Sequence, residues 1–362
     1  MKYAISLVLV LLFTVTGVYG ETLESSRIPS LVSSIRIKRP VDFCSEKVPL
    51  GNQRIRERME KEMLLTLWDR PQVILWLKRS KRYLPLIETM LTMHHLPGDL
   101  KYISVIESAL RPHVGSPKGA LGFWQFMPST ARKNGLTVDR DIDERRNIFT
   151  STRGAITYFK DLHEKFGSWT LAAAAFNMGE QGLEAEILSQ ATDNYYDLYL
   201  PLETQRYIFR ILSAKLILSS PQTYGFILKP EDYYPPLQYD QIEIQNDQQT
   251  PIQLIARAAK TTFQTIKDLN PEIRGHHVGK GNHNLLIPKD SARGFDRRLD
   301  ALLKQWRSNE QKKIHVVKEG ENLSTIAEHY NIPLPALLIW NRLNPSKPIH
   351  PGNRLIIAPP HK

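Results

Sequence analysis

The sequence predicts a mostly α-helical protein that ends in two small βααβ modules. Three observations carry this. From Asn52 to Ser219 apolar residues recur at the helical period, with Pro and Gly between the runs. Short strand-like runs are confined to the last third of the chain. There the order strand, helix, helix, strand is read twice, with a weak opening strand in the first copy.

Residues 1–20, MKYAISLVLVLLFTVTGVYG, read as a secretory signal peptide. One Lys precedes an apolar run, and Val18-Tyr19-Gly20 offers a small-residue cleavage site. The run is short for a bilayer span, so an uncleaved anchor is the lesser reading. An exported chain with one cysteine, Cys44, cannot form an internal disulfide, so its core must supply the stability. The thiol is expected to pack as a small hydrophobe. Because no Cys follows the apolar run, a lipoprotein is not expected.

Residues 21–95 are expected to be a helical lead-in that packs on a central unit, residues 96–225. The first part of the lead-in, to about residue 50, carries Pro29, Pro40 and Pro49 and little periodicity, and is read as loosely structured. Arg54–Leu65 is amphipathic, Pro71 breaks the pattern, and Val73–Leu77 and Tyr83–Met93 resume it. In the central unit, Pro97, Gly98 and Asp99 supply a turn and an N-cap for a helix. At about 100° per residue, Leu100, Ile103, Ile106 and Leu110 share one face, and Glu107 falls inside that arc. Lys101, Ser104 and Ser108 form the opposite, polar face, and Arg111-Pro112 ends the helix. A carboxylate on an apolar stripe should have a raised pKa and serve as a proton donor. Gly115, Gly119 and Gly122 then allow backbone to approach a ligand, and Trp124, Gln125, Phe126 and Met127 mix apolar surface with one amide. A buried acid beside such a loop suits a sugar-binding groove, while the plainer reading is a surface helix with Glu107 at a core edge.

A short helix from Pro128 should stop at Gly135, and Asp139–Arg146 is charged enough to read as an exposed loop. Helices follow over Thr150–Phe166, ending at Gly167, and Trp169–Phe176, capped by Ser168. Leu200–Tyr207 opens another that runs to Ser219, with Glu203 favoured at its N-terminus by the dipole. Residues 226–245 are a Pro-rich linker, 246–290 the first βααβ-like module, 291–312 a charged spacer and 313–359 the second module. The break at Pro230–Pro236 suggests that the modules are tethers, dispensable on short soluble chains.

The stretch from Glu107 to Ala131, E-S-x-L-x-P-x-x-x-S-x-x-G-A-x-G-x-W-Q-F-M-P-x-T-A, resembles the catalytic signature of the goose-lysozyme-like lytic transglycosylases, most of all their membrane-bound murein type D branch. The resemblance implies a lysozyme-like catalytic domain with Glu107 as its acid and Ser116, Gln125 and Met127 in the groove. Ala175-Phe176-Asn177-Met178-Gly179 resembles the family's second motif, with Phe176 where Tyr is usual, so that hydroxyl is lost. Pro201–Tyr207 matches the third, P-x-E-T-x-x-Y, and adds Glu203 and Tyr207 to the implied substrate contacts. Alone, Asn177 reads equally as a helix C-cap. The C-terminal modules resemble LysM, which binds N-acetylglucosamine-containing glycan. That branch is typically lipid-anchored, and this chain departs from it; the resemblance and the leader together imply a periplasmic protein, soluble or wall-associated.

Charge fits an anionic partner. Lys and Arg number 48 against 37 Asp and Glu, a net +11, or 47 − 37 = +10 once Lys2 is removed with the leader. Peptidoglycan strands are the implied partner, and a membrane surface is the other anionic surface the charge admits. No basic cluster interleaved with aromatics reads as a nucleic-acid motif. The eleven His show no HExxH or comparable spacing; His276, His277 and His283 share a loop without thiolates or carboxylates, so no metal and no cofactor is expected. Two other functions share these residues: a lysozyme-type hydrolase, and a wall-binding protein without activity. Oligomeric state is not legible in the sequence.

Overall fold

The computed structural model describes residues 29–37, 40–310, 314–344 and 347–358. The expected leader over 1–20 lies outside them. Among the described residues no helix is long and apolar enough to cross a membrane.

The lead-in is more ordered than its composition suggests. After a single turn, α1 (Leu31–Ser34), a hairpin forms from β1 (Asp42–Phe43) and β2 (Glu46–Lys47). Val41, Phe43, Cys44 and Val48 are buried in the main core. Burial pushes the Cys44 thiol far up, so it is an inert apolar filler. Long-range polar contacts, invisible to periodicity, hold the hairpin. The Glu46 carboxylate accepts the backbone N–H groups of Trp169 and Thr170, capping a distant helix where the dipole favours negative charge. Asp99 caps no helix: its carboxylate accepts the Cys44 N–H at 2.8 Å and pairs with Lys215 Nζ at 2.7 Å.

Two long helices follow, α2 (Gln53–Trp68) and α3 (Arg70–Met93), joined at Asp69, whose side chain accepts from Gln72 N–H. Pro71 sits in the first turn of α3, where its missing N–H costs nothing. The central helix α4 (Lys101–Ser108) is short and enclosed. Ser104 and Ser108, expected on a solvated face, are 0% and 2% exposed. Their hydroxyls satisfy themselves locally, Ser104 on Lys101 O and Ser108 on Phe123 O at 2.9 Å. Around α4 lie α5 (Pro128–Lys133), α6 (Ile148–Phe166), α7 (Trp169–Met178), α8 (Glu180–Gln190) and α9 (Leu202–Ser219). The five residues Leu171–Ala175 are buried, and the four alanines among them let α7 pack on α6, α8 and α9 at once.

The expected linker over 226–245 is not free. Tyr234 N–H donates to Lys78 O, Arg82 donates to Pro235 O, and both cations lie near the Tyr234 ring. From Tyr239 it is already strand: β3 (Tyr239–Asn246) pairs antiparallel with β6 (Gly281–Pro288) in register Ile242 to Leu285. Alternation there runs through Gln241, Glu243 and Gln245, so only Ile242 and Ile244 signal burial. Between them lie β4 (Thr250–Pro251), α10 (Ile252–Ala258), α11 (Phe263–Leu269) and β5 (His277–Val278). The expected spacer over 291–312 contributes α12 (Phe295–Glu310), whose Phe295 and Leu299 complete this module's core. The second module is β7 (Ile314–Val316), α13 (Leu323–His329), α14 (Leu334–Asn341) and β8 (Arg354–Ile356), with its own core. One device recurs in both. The Asn270 amide clamps the backbone of Leu286 through two bonds of 2.7 Å, and Asn341 clamps Ile356 through bonds of 2.8 and 2.7 Å.

The first module abuts the central unit at residues 139–147. Ile142 bridges Ile273, Asp143 N–H donates to Glu272 O at 2.8 Å, and Arg274 N–H donates to Asp141 O at 2.9 Å. The Glu272 carboxyl is buried in this seam beside Asn147 and Lys267, and burial, with Glu144 nearby, pushes its pKa up to about 7. Its folded pKa lies above the unfolded one, so the neutral form is favoured in the docked state. Stability is therefore full below the unfolded pKa of about 4.3 and declines as pH rises to about 7, by a total on the order of 3 kcal/mol. Thermal melts of the wild type should fall over that interval, and those of Glu272→Gln should be flatter. Parallel pH profiles would show that the seam does not carry the titration.

Candidate active site

The last turn of α4 presents Glu107, and the backbone beyond it is strained. Ala109 (φ 53°) and Leu110 (φ 58°) are both left-handed, ending the helix three residues before the expected Arg111. Each costs about 1–2 kcal/mol for a side chain with a Cβ. Two bonds hold the turn: Ala109 O accepts from Arg79 of α3, and the Ser108 hydroxyl accepts the Arg111 N–H. The turn redirects the chain into the glycine loop.

Glu107 is partly buried in a cavity of about 370 Å³ whose wall includes Glu62, Asp69, Trp76, Arg206 and Arg210. The Tyr207 hydroxyl, from buried α9, donates to Glu107 Oε1 at 2.5 Å. Burial raises the Glu107 pKa, while the Tyr207 bond and the Arg210 charge oppose it and Glu203 adds to it. Burial dominates, leaving a carboxyl that holds its proton beyond the usual carboxylate range. The other two acids of the cavity are committed. Glu62 is held by Arg206 in a two-pronged pair at 2.6 and 3.0 Å, and Asp69 caps α3.

The glycine loop turns on Ser116. Its N–H donates to Ala120 O at 2.9 Å, and its hydroxyl accepts the Ala120 N–H at 3.1 Å. Gln125 is left-handed at φ 50° and spends its amide group on two carbonyls, Val114 O at 2.8 Å and Gly122 O at 2.9 Å. Two carbonyl partners require the NH₂ end, so its Oε1 is the atom left to accept from a ligand. Met127 follows on the surface, 39% exposed. Phe176 stacks on Phe159 at 4.7 Å and meets Phe126 edge-on, so the ring braces the loop from below. Asn177 is inside α7, with Gly179 as the cap, and its Oδ1 accepts the Thr204 hydroxyl at 2.8 Å. That bond ties the second motif to the third. Glu203 is exposed and reaches Glu107 only through charge.

Sequence reading misses Asp143 and Arg145. The stretch Asp139–Arg146 is expected to be solvated, yet Asp143 is 0% and Arg145 6% exposed. Their two-pronged pair has both bonds at 2.8 Å. The remaining arm of Arg145, Nη1, donates to Gly119 O at 2.8 Å and Phe126 O at 3.0 Å, pinning both sides of the glycine loop. Removing one member of such a buried pair costs about 3–5 kcal/mol. Composition cannot separate this stretch from a solvated one, because only the fold brings carbonyls to the guanidinium.

Family comparisons match this layout. Residues 85–198 match the transglycosylase SLT domain, which spans Glu107, the glycine loop and Asn177. Residues 238–304 match the LysM-like domain of lytic transglycosylase MltD, and 315–358 match the LysM domain. The chain thus carries an SLT transglycosylase domain followed by LysM domains. It is 27% identical to the membrane-bound lytic murein transglycosylase D of Escherichia coli K12, over 87% of this chain and 72% of that one. Among solved structures it is similar to the 70 kDa soluble lytic transglycosylase of Escherichia coli, with 18% identity and a TM-score of 0.35, over 49% of this chain and 31% of that larger one. Another is an inactive mutant of a lytic transglycosylase from Pseudomonas aeruginosa, with 20% identity and a TM-score of 0.30, over 41% of this chain and 26% of that one.

Proposed function

We propose that this protein is an exported peptidoglycan lytic transglycosylase that cleaves the MurNAc–GlcNAc β-1,4 bond and leaves a 1,6-anhydro-MurNAc end. The observation that carries the reading is one proton-holding carboxyl in the cavity, Glu107, beside the acids Glu62 and Asp69, which are already bonded. Glu107 donates its proton to the glycosidic oxygen as the C1–O bond breaks. The MurNAc N-acetyl oxygen attacks C1, as in substrate-assisted glycosidases. The Glu107 carboxylate then takes the proton of the MurNAc C6 hydroxyl, whose oxygen displaces the N-acetyl oxygen and closes the anhydro ring. Atoms balance without water, and Glu107 ends protonated as it began. Ser116, Gln125 Oε1, Met127, Asn177 and the edge of Phe176 are the proposed sugar contacts, and Tyr207 steadies the acid.

A hydrolase needs a second carboxylate free to activate water. Asp99 is paired with Lys215 and Glu180 with Lys133, which favours the anhydro route; Glu203, exposed and near enough to raise the Glu107 pKa, is the acid a hydrolase would use. The two LysM units supply weak glycan binding in this reading. Digestion of purified sacculi tests it: released muropeptides should resist borohydride because they have no reducing end. Reducing ends would indicate hydrolysis, and binding without release would indicate a wall-binding protein.

Tyr207→Phe isolates the phenol. Loss of the bond removes a contribution that lowers the Glu107 pKa, so the high-pH limb of turnover should move to higher pH. Turnover itself should fall about ten-fold, since a freed carboxyl samples unproductive rotamers. An unmoved limb would mean that the phenol does not govern the acid.

A further inference from the structure

We propose that the LysM-like module over residues 238–304 is a positioning element of the catalytic groove, acting through the loop 139–147 and Arg145 rather than only as a tether. The inference rests on the transglycosylase reading above. Beside the Glu272 carboxyl on Asn147 and the Tyr239 ring edge-on to Phe149 at 5.7 Å, four contacts hold the tip of the loop. They are the Ile142–Ile273 bridge, the Asp143 N–H bond to Glu272 O, the Arg274 N–H bond to Asp141 O, and Arg274 Nη1 on Asp139 O at 2.8 Å. Ile142 also packs its side chain onto the module's core. The second LysM unit reaches the same loop, with Arg342 paired to Asp141 at 2.8 Å and its carbonyl accepting from Arg140.

The seam is two links from the groove. Asp143, whose N–H is held by the module, aligns Arg145 through both carboxylate oxygens. Arg145 in turn holds Gly119 O and Phe126 O, either side of Gln125 and three residues from Ser116. The loop has bonds of its own, Asp139 N–H to Ile142 O and Glu144 N–H to Thr137 O, which shape a hairpin. The base of the hairpin is tied to the central unit, Thr150 Oγ1 of α6 donating to Glu144 O at 3.1 Å and Arg132 to Val138 O at 3.0 and 2.7 Å; its tip, residues 141–143, is held by the module's edge. Displacing a catalytic loop by about 1 Å can cost on the order of 100-fold in rate. A pure tether behaves differently, because its benefit vanishes on short soluble substrate.

The full chain carrying Ile142→Asp with Arg274→Ala separates the two. Neither residue touches the groove, and both sides of the seam keep their own cores. Turnover is measured on short uncrosslinked glycan chains, with kcat and KM resolved, beside amide exchange by mass spectrometry. A positioning role predicts at least a ten-fold loss of kcat on these soluble chains, faster exchange over 115–126, and an unchanged melting temperature for the central unit. Unchanged kcat and unchanged exchange over 115–126, with faster exchange at 139–143 and 272–274, would overturn it. A seam that stayed protected in the double variant would overturn the part given to the Ile142 side chain and the Arg274 guanidinium, since the three backbone contacts survive both substitutions. If the wild type turned nothing over, the proposed reaction would fail, and exchange over 115–126 would still decide the positioning role.

Discussion

Glu107→Gln lowers turnover by about 1,000-fold or more while leaving sacculus binding intact. Glutamine keeps the shape and still accepts the Tyr207 hydroxyl, so the fold has no reason to change. It cannot deliver a proton to the leaving oxygen or take one from the C6 hydroxyl. General acid–base catalysis is worth roughly 100- to 10,000-fold per step, and both steps pass through this one group. Glu107→Asp should retain a trace, since the carboxyl survives but retreats by a methylene from Tyr207. Measuring muropeptide release and sacculus pull-down together checks the claim. Near-normal release by the glutamine variant would remove Glu107 from the chemistry.

Gly122→Ala is the second large effect. Gly122 adopts φ +83°, and a Cβ there would stand 1.8 Å from Arg145 O and 2.5 Å from its carbonyl carbon. Backbone cannot swing aside as a side chain does, so either the glycine loop or residues 143–146 must shift. We expect at least about 2 kcal/mol of destabilisation and little activity. Gly119→Ala is the control. It shares the positive φ, +92°, but its Cβ would meet nothing within 4 Å, so its cost is the backbone strain of about 1–2 kcal/mol alone. Chemical unfolding of the two variants should separate close contact from dihedral strain. Equal losses would mean that the Arg145 segment yields.

Glycine spacing alone marks this loop in the sequence, and the helical arc marks Glu107, because both signals are local. The partners that make them a site are not local. Ser104 and Ser108 sit on a polar arc that another segment covers, and a period of 3.6 cannot report what lies opposite a face. Asp143 and Arg145 are charged residues in a charged stretch; their burial depends on carbonyls from residues 119 and 126. Residues 40–50 lack periodicity yet are ordered through Glu46, Asp99 and Lys215. The strand Tyr239–Asn246 reads as linker in the sequence because its solvent face is polar and its partner lies about forty residues on. Tyr207 is marked only by the family resemblance, and its contact with Glu107 is a matter of tertiary packing.

The proposed reaction needs only one acid, because the sugar's own hydroxyl is the nucleophile. Digestion of sacculi in heavy-oxygen water tests that claim most directly. Muropeptide products should carry no label, because no water oxygen enters the new bond. Incorporation of one heavy oxygen at each new MurNAc end would contradict it.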